Sequence, residues 1–399
     1  MRVLHVAAQP FPTRQGTQAA IASMLDASQR AGRDAQLLTY GGHGEGAATS
    51  AAPRYSHRRG AKLVGRDSLR SGPSLRKLAQ DVQLSIAARA LAEVQRPDVL
   101  VGHHVEGAAA CMATGARTVF FAHTDLADEL PAYFPSLLAG ALRGAGAAVD
   151  RALSRRCHAV ATISPWLRQR LVADTPQLAS RIHHVPLPWP VAAPIESAER
   201  AGARAHLGID AGAQVALYAG NLDAYQGIDA LVAAVALARR RLPRLQLLIA
   251  TDSDGAPLRR HASAQQLEAL RFTTLAPEGA AGGADAEHMR RLLHAAADVV
   301  VVPRGSRGGL PIKLIDALAR GVPTVAMPAA LAGIDYGDAL AVSHAADASA
   351  LASVLIETLA NPTRLQGLRD AGPRYVAQHH DDAAYLRAID ACCASAMRP

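Results

Sequence analysis

Short, almost continuously apolar runs recur along this chain, each followed by a stretch whose apolar residues fall at helical spacing, and that alternation leaves few folds open. The runs lie at residues 2–8, 36–40, 98–102, 117–122 and 159–164, and again at 215–219, 245–250, 298–303 and 323–327. Strands buried on both faces of a parallel sheet read this way, because neither face alternates with solvent. Between them the spacing predicts helices at 17–30, with Ile21, Met24 and Leu25 on one face, and at 78–94, 135–154, 228–241, 289–297 and 313–320. Residues 185–194 read VPLPWPVAAP, a proline density that neither helix nor ladder accommodates. The alternation restarts after it, so the expectation is an α/β protein of two doubly wound parallel sheets, residues 1–187 and 195–380, closed by a helical segment at 381–399. A length of 399 residues suits two cores.

The formal charge of +8 favours anionic partners. Its densest stretch, residues 54–77, carries Arg54, Arg58, Arg59, Lys62, Arg66, Arg70, Arg76 and Lys77 against Asp67 alone. It reads either as a solvated face or as a contact with an anionic membrane surface. Clustered aromatics and a recognisable reading helix are missing, which argues against nucleic acid. The cysteines, Cys111, Cys157, Cys392 and Cys393, have neither zinc-site nor disulfide-framework spacing. The opening apolar run is too short for a signal peptide, and no segment is long and apolar enough for a membrane span. A cytoplasmic protein, at most peripheral to a membrane, is expected.

In open parallel sheets ligands bind beyond the carboxyl ends of the strands, and three loops there are unusual. In the first, PTRQGTQ, Gly16 precedes a helix and can let backbone N–H groups approach a phosphate or sugar, with Thr17 beside it. The second, YAGNLDAYQGID from Tyr218, offers Gly220, Asn221 and Gln226 but no cation. The third, VPRGSRGGLPIKLIDALARG from Val302, gathers Arg304, Arg307 and Lys313 around a glycine turn at the start of a helix. Cations, free backbone donors and a positive helix end make it an anion site. Asp316 follows Lys313 by one helical turn and can either accept from a ribose diol or form an i,i+3 ion pair with it.

These segments resemble glycosyltransferase family 4: the opening strand with its Gly16 loop, ISPWLRQRL at 163–171, YAGNLDAYQGIDALVAAV at 218–235, GGLPIKLIDALARGVPTVA at 308–326 and LIETLANPTRLQGLRDAGPRYV at 355–376. The resemblance implies the GT-B fold, two Rossmann-like domains facing a central cleft, with the C-terminal helix crossing back onto the first domain. It implies transfer of a sugar from a nucleoside diphosphate to an acceptor hydroxyl of a glycan, lipid-linked or small-molecule acceptor, with retention and without metal or other cofactor. The donor set it implies is Gly16, Thr17, Gly220, Asn221, Gln226, Arg304, Arg307, Gly309, Leu310, Pro311, Lys313 and Asp316. Departures accompany it. Asn221 and Gln226 stand where the family commonly has Arg and Lys, Gly308 where the first Glu of its carboxylate pair is expected, and the shorter Asp316 at the second. Arg304, Arg307 and Lys313 are candidates to replace the missing cations.

In the first domain the resemblance gives His123, just past the strand FFA, a role near the sugar and acceptor, with Asp125 as a second catalytic or acceptor-binding candidate. His104 and Glu106 follow a strand and are candidates to line the acceptor cleft. The pairs His103-His104 and His379-His380 diverge too sharply to share a metal, and Ser164 before Pro165 reads as a helix cap. Competing functions are a sugar- or nucleotide-binding scaffold that has lost catalysis, and a nucleotide-sugar epimerase of the same fold.

Overall fold

A computed structural model describes residues 1–11, 16–41, 56–60, 75–265, 267–275 and 284–398. Strands β1 (Val3–Ala7), β2 (Ala35–Thr39), β3 (Ser56–Arg59), β4 (Val99–His103), β5 (Thr118–Ala122), β6 (Ala159–Thr162) and β7 (Ile182–His184) form one sheet in the order β3-β2-β1-β4-β5-β6-β7. Strands β8 (Gln214–Ala219), β9 (Leu245–Ala250), β10 (Leu270–Thr273), β11 (Val299–Val302), β12 (Thr324–Ala326) and β13 (Ala341–Val342) form a second, ordered β10-β9-β8-β11-β12-β13. Every pairing is parallel. The apolar runs form the central strands: β1, β4, β5 and β11 are buried along their whole length between helical layers. Each sheet reverses direction beside its first strand, between β1 and β4 and between β8 and β11. Doubly wound sheets open their ligand crevice at that point.

The proline-rich connector is pinned at several places. Ser23 Oγ donates to Pro188 O at 2.5 Å, Trp189 N to His380 O at 2.8 Å and Ala192 N to Ala319 O at 3.0 Å. Helix Asp382–Met397 returns to the first sheet's helical layer, where Arg30 grips Asp382 at 2.7 and 2.8 Å and Arg33 donates to Asp390 at 2.6 Å. Ser164 caps helix Pro165–Asp174 by accepting from Leu167 N at 3.3 Å, and Pro165 at the first helical position loses no hydrogen bond there.

Of the basic stretch, Arg54, Lys62, Arg66 and Arg70 lie outside the described residues. Arg58 and Arg59 are exposed on edge strand β3, and Lys77, on helix Leu75–Gln95, pairs with Glu106 at 2.5 Å. Among the described residues no helix is long and apolar enough to cross a membrane.

Candidate functional site

The second domain contributes two loops at its switch point. After β8 the chain turns at Gly220 and runs through a short 3-10 turn, Ala224–Gln226, into helix Ile228–Ala238. Gly227 sits at φ +70°, and a Cβ there would lie 2.1 Å from Pro303 O, so the two loops touch at a point only glycine permits. Gly305 N donates to Tyr225 O at 3.2 Å and ties the loops together again. After β11 the chain passes Arg304 and Gly309 to helix Ile312–Ala319, whose first turn has no side-chain cap and no acidic residue. Leu314 N donates to Pro311 O at 2.9 Å, and among the described residues the N–H groups of Ile312 and Lys313 stay open to an anion.

Lys313 and Arg304 converge where the loops meet. Lys313 Nζ lies 4.0 Å from the centre of the Tyr218 ring and donates to Gln226 Oε1 at 3.3 Å; Gln226 donates in turn to Asn221 Oδ1 at 2.7 Å. Asn221 completes the chain by donating to Asp223 at 2.6 Å. Asn221 and Gln226, the amides that replace the family's cations, therefore hold a cation in place. Arg304 is 9% exposed, with its guanidinium 5.3 Å from the Tyr225 ring centre. Among the described residues neither cation has a carboxylate within 4.0 Å. Burial and the Arg304 charge push the Lys313 ammonium down to about 7, and burial lowers Arg304 as well. Two desolvated cations without a contacting carboxylate, beside a helix N-terminus, call for an anionic ligand to offset their burial.

Other predicted donor residues are placed differently. Arg307 is exposed, whereas Leu310 is buried and Pro311 precedes the helix. Asp316 forms no ion pair with Lys313; its Oδ1 accepts from Arg320 Nε at 3.0 Å and its Oδ2 lies 3.9 Å from His294 Nε2. In place of the alternative i,i+3 pair stands an i,i+4 pair on the buried side, and a ribose diol would compete with Arg320 for this carboxylate. Gly16 opens helix Gly16–Arg30 against Ile312, whose Cγ1 would stand 3.3 Å from an added Cβ, with Thr17 half-buried beside it. The rest of that loop, residues 12–15, lies outside the described residues.

The first domain brings its own strand ends to the same crevice. Thr124 bridges to Gly309, Asp125 N donates to Gly308 O at 2.8 Å, and a Cβ on Gly309 would sit 2.8 Å from His123 O. The stretch after β5 therefore lies directly on the glycine turn, where a Cβ at position 308 would stand in ordinary contact with Asp128 Cβ, 3.4 Å away. His123 is buried and stacks on His104, ring centres 4.8 Å apart. His104 itself adopts φ +59°, a costly conformation for a residue with a Cβ. Asp125 caps helix Leu126–Glu129 by accepting from Ala127 N at 3.0 Å and lies 3.4 Å from Arg170 Nε. Its carboxylate is committed to holding this loop, as Glu106 is to Lys77.

Asp125 also faces Asp150, which accepts from Leu126 N at 3.0 Å; burial, then the Asp125 charge, pushes the Asp150 carboxyl well up. The raised folded value means that the wild type loses stability as pH rises from the ordinary carboxylate range toward that value. Asp150→Asn keeps the acceptor for Leu126 N without the charge, so its melting temperature relative to wild type should climb between pH 5 and pH 9. A difference that stays flat in a melting series would refute the raised Asp150 carboxyl.

Glu129 is a cleft residue that the sequence reading passed over. It accepts from Thr124 Oγ1 at 2.5 Å and Tyr133 at 2.7 Å, and its charge is felt by His104, Tyr225 and Arg304. Tyr218, Asp223 and Tyr225 were passed over too, although all four stand inside the segments FFAHTDLADEL and YAGNLDAYQG.

Comparison with known proteins bears on this site. Residues 15–188 match the family model described as glycosyltransferase family 4, and residues 213–361 that described as glycosyl transferases group 1. Over 182 residues the chain is 31% identical to the D-inositol 3-phosphate glycosyltransferase of Segniliparus rotundus; that match spans 44% of this chain and 38% of the relative. Among solved structures, sucrose-phosphate synthase from Thermosynechococcus elongatus superposes with a TM-score of 0.76 at 19% identity over 97% of both chains. HepE of Anabaena, solved with UDP-glucose, gives a TM-score of 0.72 at 13% identity over 98% of this chain and 99% of that one. The first family match runs into the proline-rich connector and the second begins beyond it; between them they take in both sheets except β1 and the loops of the crevice from residue 15 on, and the chain belongs to the family 4 type of glycosyltransferases with the GT-B fold.

Proposed function

We propose that the chain transfers a sugar from a nucleoside-diphosphate donor to an acceptor hydroxyl, with the diphosphate seated between Lys313, Arg304 and the first turn of helix Ile312–Ala319. The observation that carries this reading is the pair of buried cations without a carboxylate partner. HepE, a neighbour in fold, was solved with UDP and with UDP-glucose, which supports a donor of that class.

In the proposed reaction the bond between the anomeric carbon and the diphosphate oxygen breaks, and the acceptor oxygen bonds to the same face of that carbon. The acceptor's proton leaves with the diphosphate. Lys313, Arg304 and the helix amides stabilise the charge that develops on the departing group, the kind of preorganised electrostatics that contributes most to such reactions. The acceptor enters from the side of His104, His123 and Glu129. The contact of residues 123–125 with Gly308 and Gly309 shields the reacting atoms from water, which would otherwise hydrolyse the donor.

Incubation with UDP-, GDP- and ADP-sugars and a panel of hydroxyl acceptors, followed by assay of released diphosphate, tests this function. One donor should turn over with acceptor-dependent release, and NMR of the product should show the donor's own anomeric configuration. Tight donor binding without turnover on any acceptor would favour a binding scaffold; inversion would remove the same-face step.

A further inference from the structure

Three histidines from neighbouring strands form a hydrogen-bonded file that ends at the cleft. His5 lies in β1, His103 at the end of β4 and His123 just past β5, on three successive strands of the first sheet. His5 Nδ1 stands 3.0 Å from His103 Nε2, and His103 Nδ1 stands 2.8 Å from His123 Nε2. All three rings are buried, at 2%, 0% and 4% exposure. Phe121 stacks on both His103 and His123, ring centres 5.2 and 4.7 Å away, and holds their planes. Burial keeps the file neutral: it lowers His5 to about 4 and His103 and His123 well below the ordinary histidine value.

A neutral imidazole carries one N–H, so each hydrogen bond in the file fixes the next ring. Only two arrangements satisfy both bonds: every ring protonated on Nδ1, or every ring protonated on Nε2. In the first His123 presents an N–H from its remaining nitrogen, in the second a lone pair. That nitrogen, His123 Nδ1, is buried and has no partner among the described residues. A buried N–H without an acceptor forfeits a whole hydrogen bond, and orphaned donors are rarer than under-used acceptors. At the other end His5 lines a cavity of about 450 Å³, together with Asp34 and Asp390, where an Nε2–H can find water or an acceptor. Both ends favour the same arrangement.

We infer that His5 and His103 are positioning residues that lock His123 as the Nε2–H tautomer, so that its free Nδ1 accepts a hydrogen bond from a hydroxyl of the bound sugar or acceptor. His123 as a cleft residue rests on the proposed function; the tautomer lock does not. A residue in the first strand, remote from the reacting atoms, thereby sets the hydrogen-bonding character of a ring in the cleft.

NMR of the ligand-free protein labelled with 15N-histidine separates the lock from the activity. Nitrogen shifts of His5, His103 and His123, assigned by single replacements, should show all three protonated on Nε2 at pH 7.5, and any of them protonated on Nδ1 overturns the inference. His5→Phe keeps the ring stack but removes the acceptor for His103 Nε2–H. It should free His123 to mix tautomers and lower kcat about five- to tenfold with the donor KM unchanged. His5→Asn, whose Oδ1 replaces Nδ1 as acceptor, should restore both. A His5→Phe protein whose His123 keeps one tautomer overturns the lock, whether or not the protein proves to be a transferase.

Discussion

Replacing Lys313 by methionine is expected to stabilise the ligand-free protein while weakening nucleoside-diphosphate binding about a hundredfold. Methionine fills the space above the Tyr218 ring without a charge, whereas the ammonium is held down to about 7 by burial and by Arg304. A lysine lowered below its unfolded value destabilises the fold most at low pH. The unfolded chain keeps the proton throughout and the folded chain releases it near pH 7, so wild-type stability rises from there toward pH 10.5. The advantage of Lys313→Met should therefore be complete below pH 7, at about 1–3 kcal/mol, and fade toward pH 10.5. The binding loss follows from removing one charge from a desolvated ion contact, which costs about 2–5 kcal/mol. Denaturant melts and a binding titration on the same preparation measure both. A variant less stable than wild type at pH 6 would mean that Gln226 and the Tyr218 ring already offset the ammonium's burial in the free protein and that it is not waiting for an anion.

Gly309→Ala should abolish most of the turnover yet leave the donor bound. The added Cβ would lie 2.8 Å from the carbonyl oxygen of His123, a backbone atom of the other domain with no freedom to swing away. The domains must part there by several tenths of an ångström, which strains the Thr124–Gly309 bridge and the bond from Asp125 N to Gly308 O. Misplacement of reacting groups by about 1 Å costs on the order of a hundredfold in rate. Arg304 Nη2 would stand 3.6 Å from the added Cβ, an ordinary contact, and Lys313 is not among its nearest neighbours, so both cations keep their geometry. We therefore expect kcat to fall 30- to 100-fold with the diphosphate dissociation constant within threefold of wild type. Steady-state kinetics and calorimetry read the two separately, and a parallel loss of binding would show that the glycine turn shapes the donor pocket itself.

The two-sheet plan was legible because its central strands are buried on both faces and so are continuous apolar runs. The edges were not. Strand β3 reads SHRR with exposed side chains, β10 reads LRFT, and β7 and β13 are three and two residues long, so none carries the signal of a buried strand. Helix His104–Met112, rich in alanine and glycine, lacks the spaced large apolar residues that mark a helix. At the crevice, cations beside glycines pointed to Arg304 and Lys313, because free donors and positive charge leave a sequence pattern. What each side chain would be occupied with left none. Asp316 pairs with Arg320, Glu106 with Lys77, and Asp125 caps a helix, each decided by a partner that sequence does not place nearby or does not mark. Two departures from the family pattern acquire a physical reason only in three dimensions: Gln226 and Asn221 steady Lys313.

Calorimetric titration of UDP, GDP and ADP into the protein at pH 8, in two buffers of different ionisation heat, tests the diphosphate seat most directly. At that pH Lys313, held down to about 7, is mostly neutral, and the incoming diphosphate must recharge it. One of the three nucleotides should bind saturably with uptake of nearly one proton per site, the uptake should vanish in Lys313→Met, and the affinity should fall at least tenfold in Arg304→Ala. Binding that takes up no proton and is indifferent to both replacements would place the diphosphate elsewhere and contradict the account.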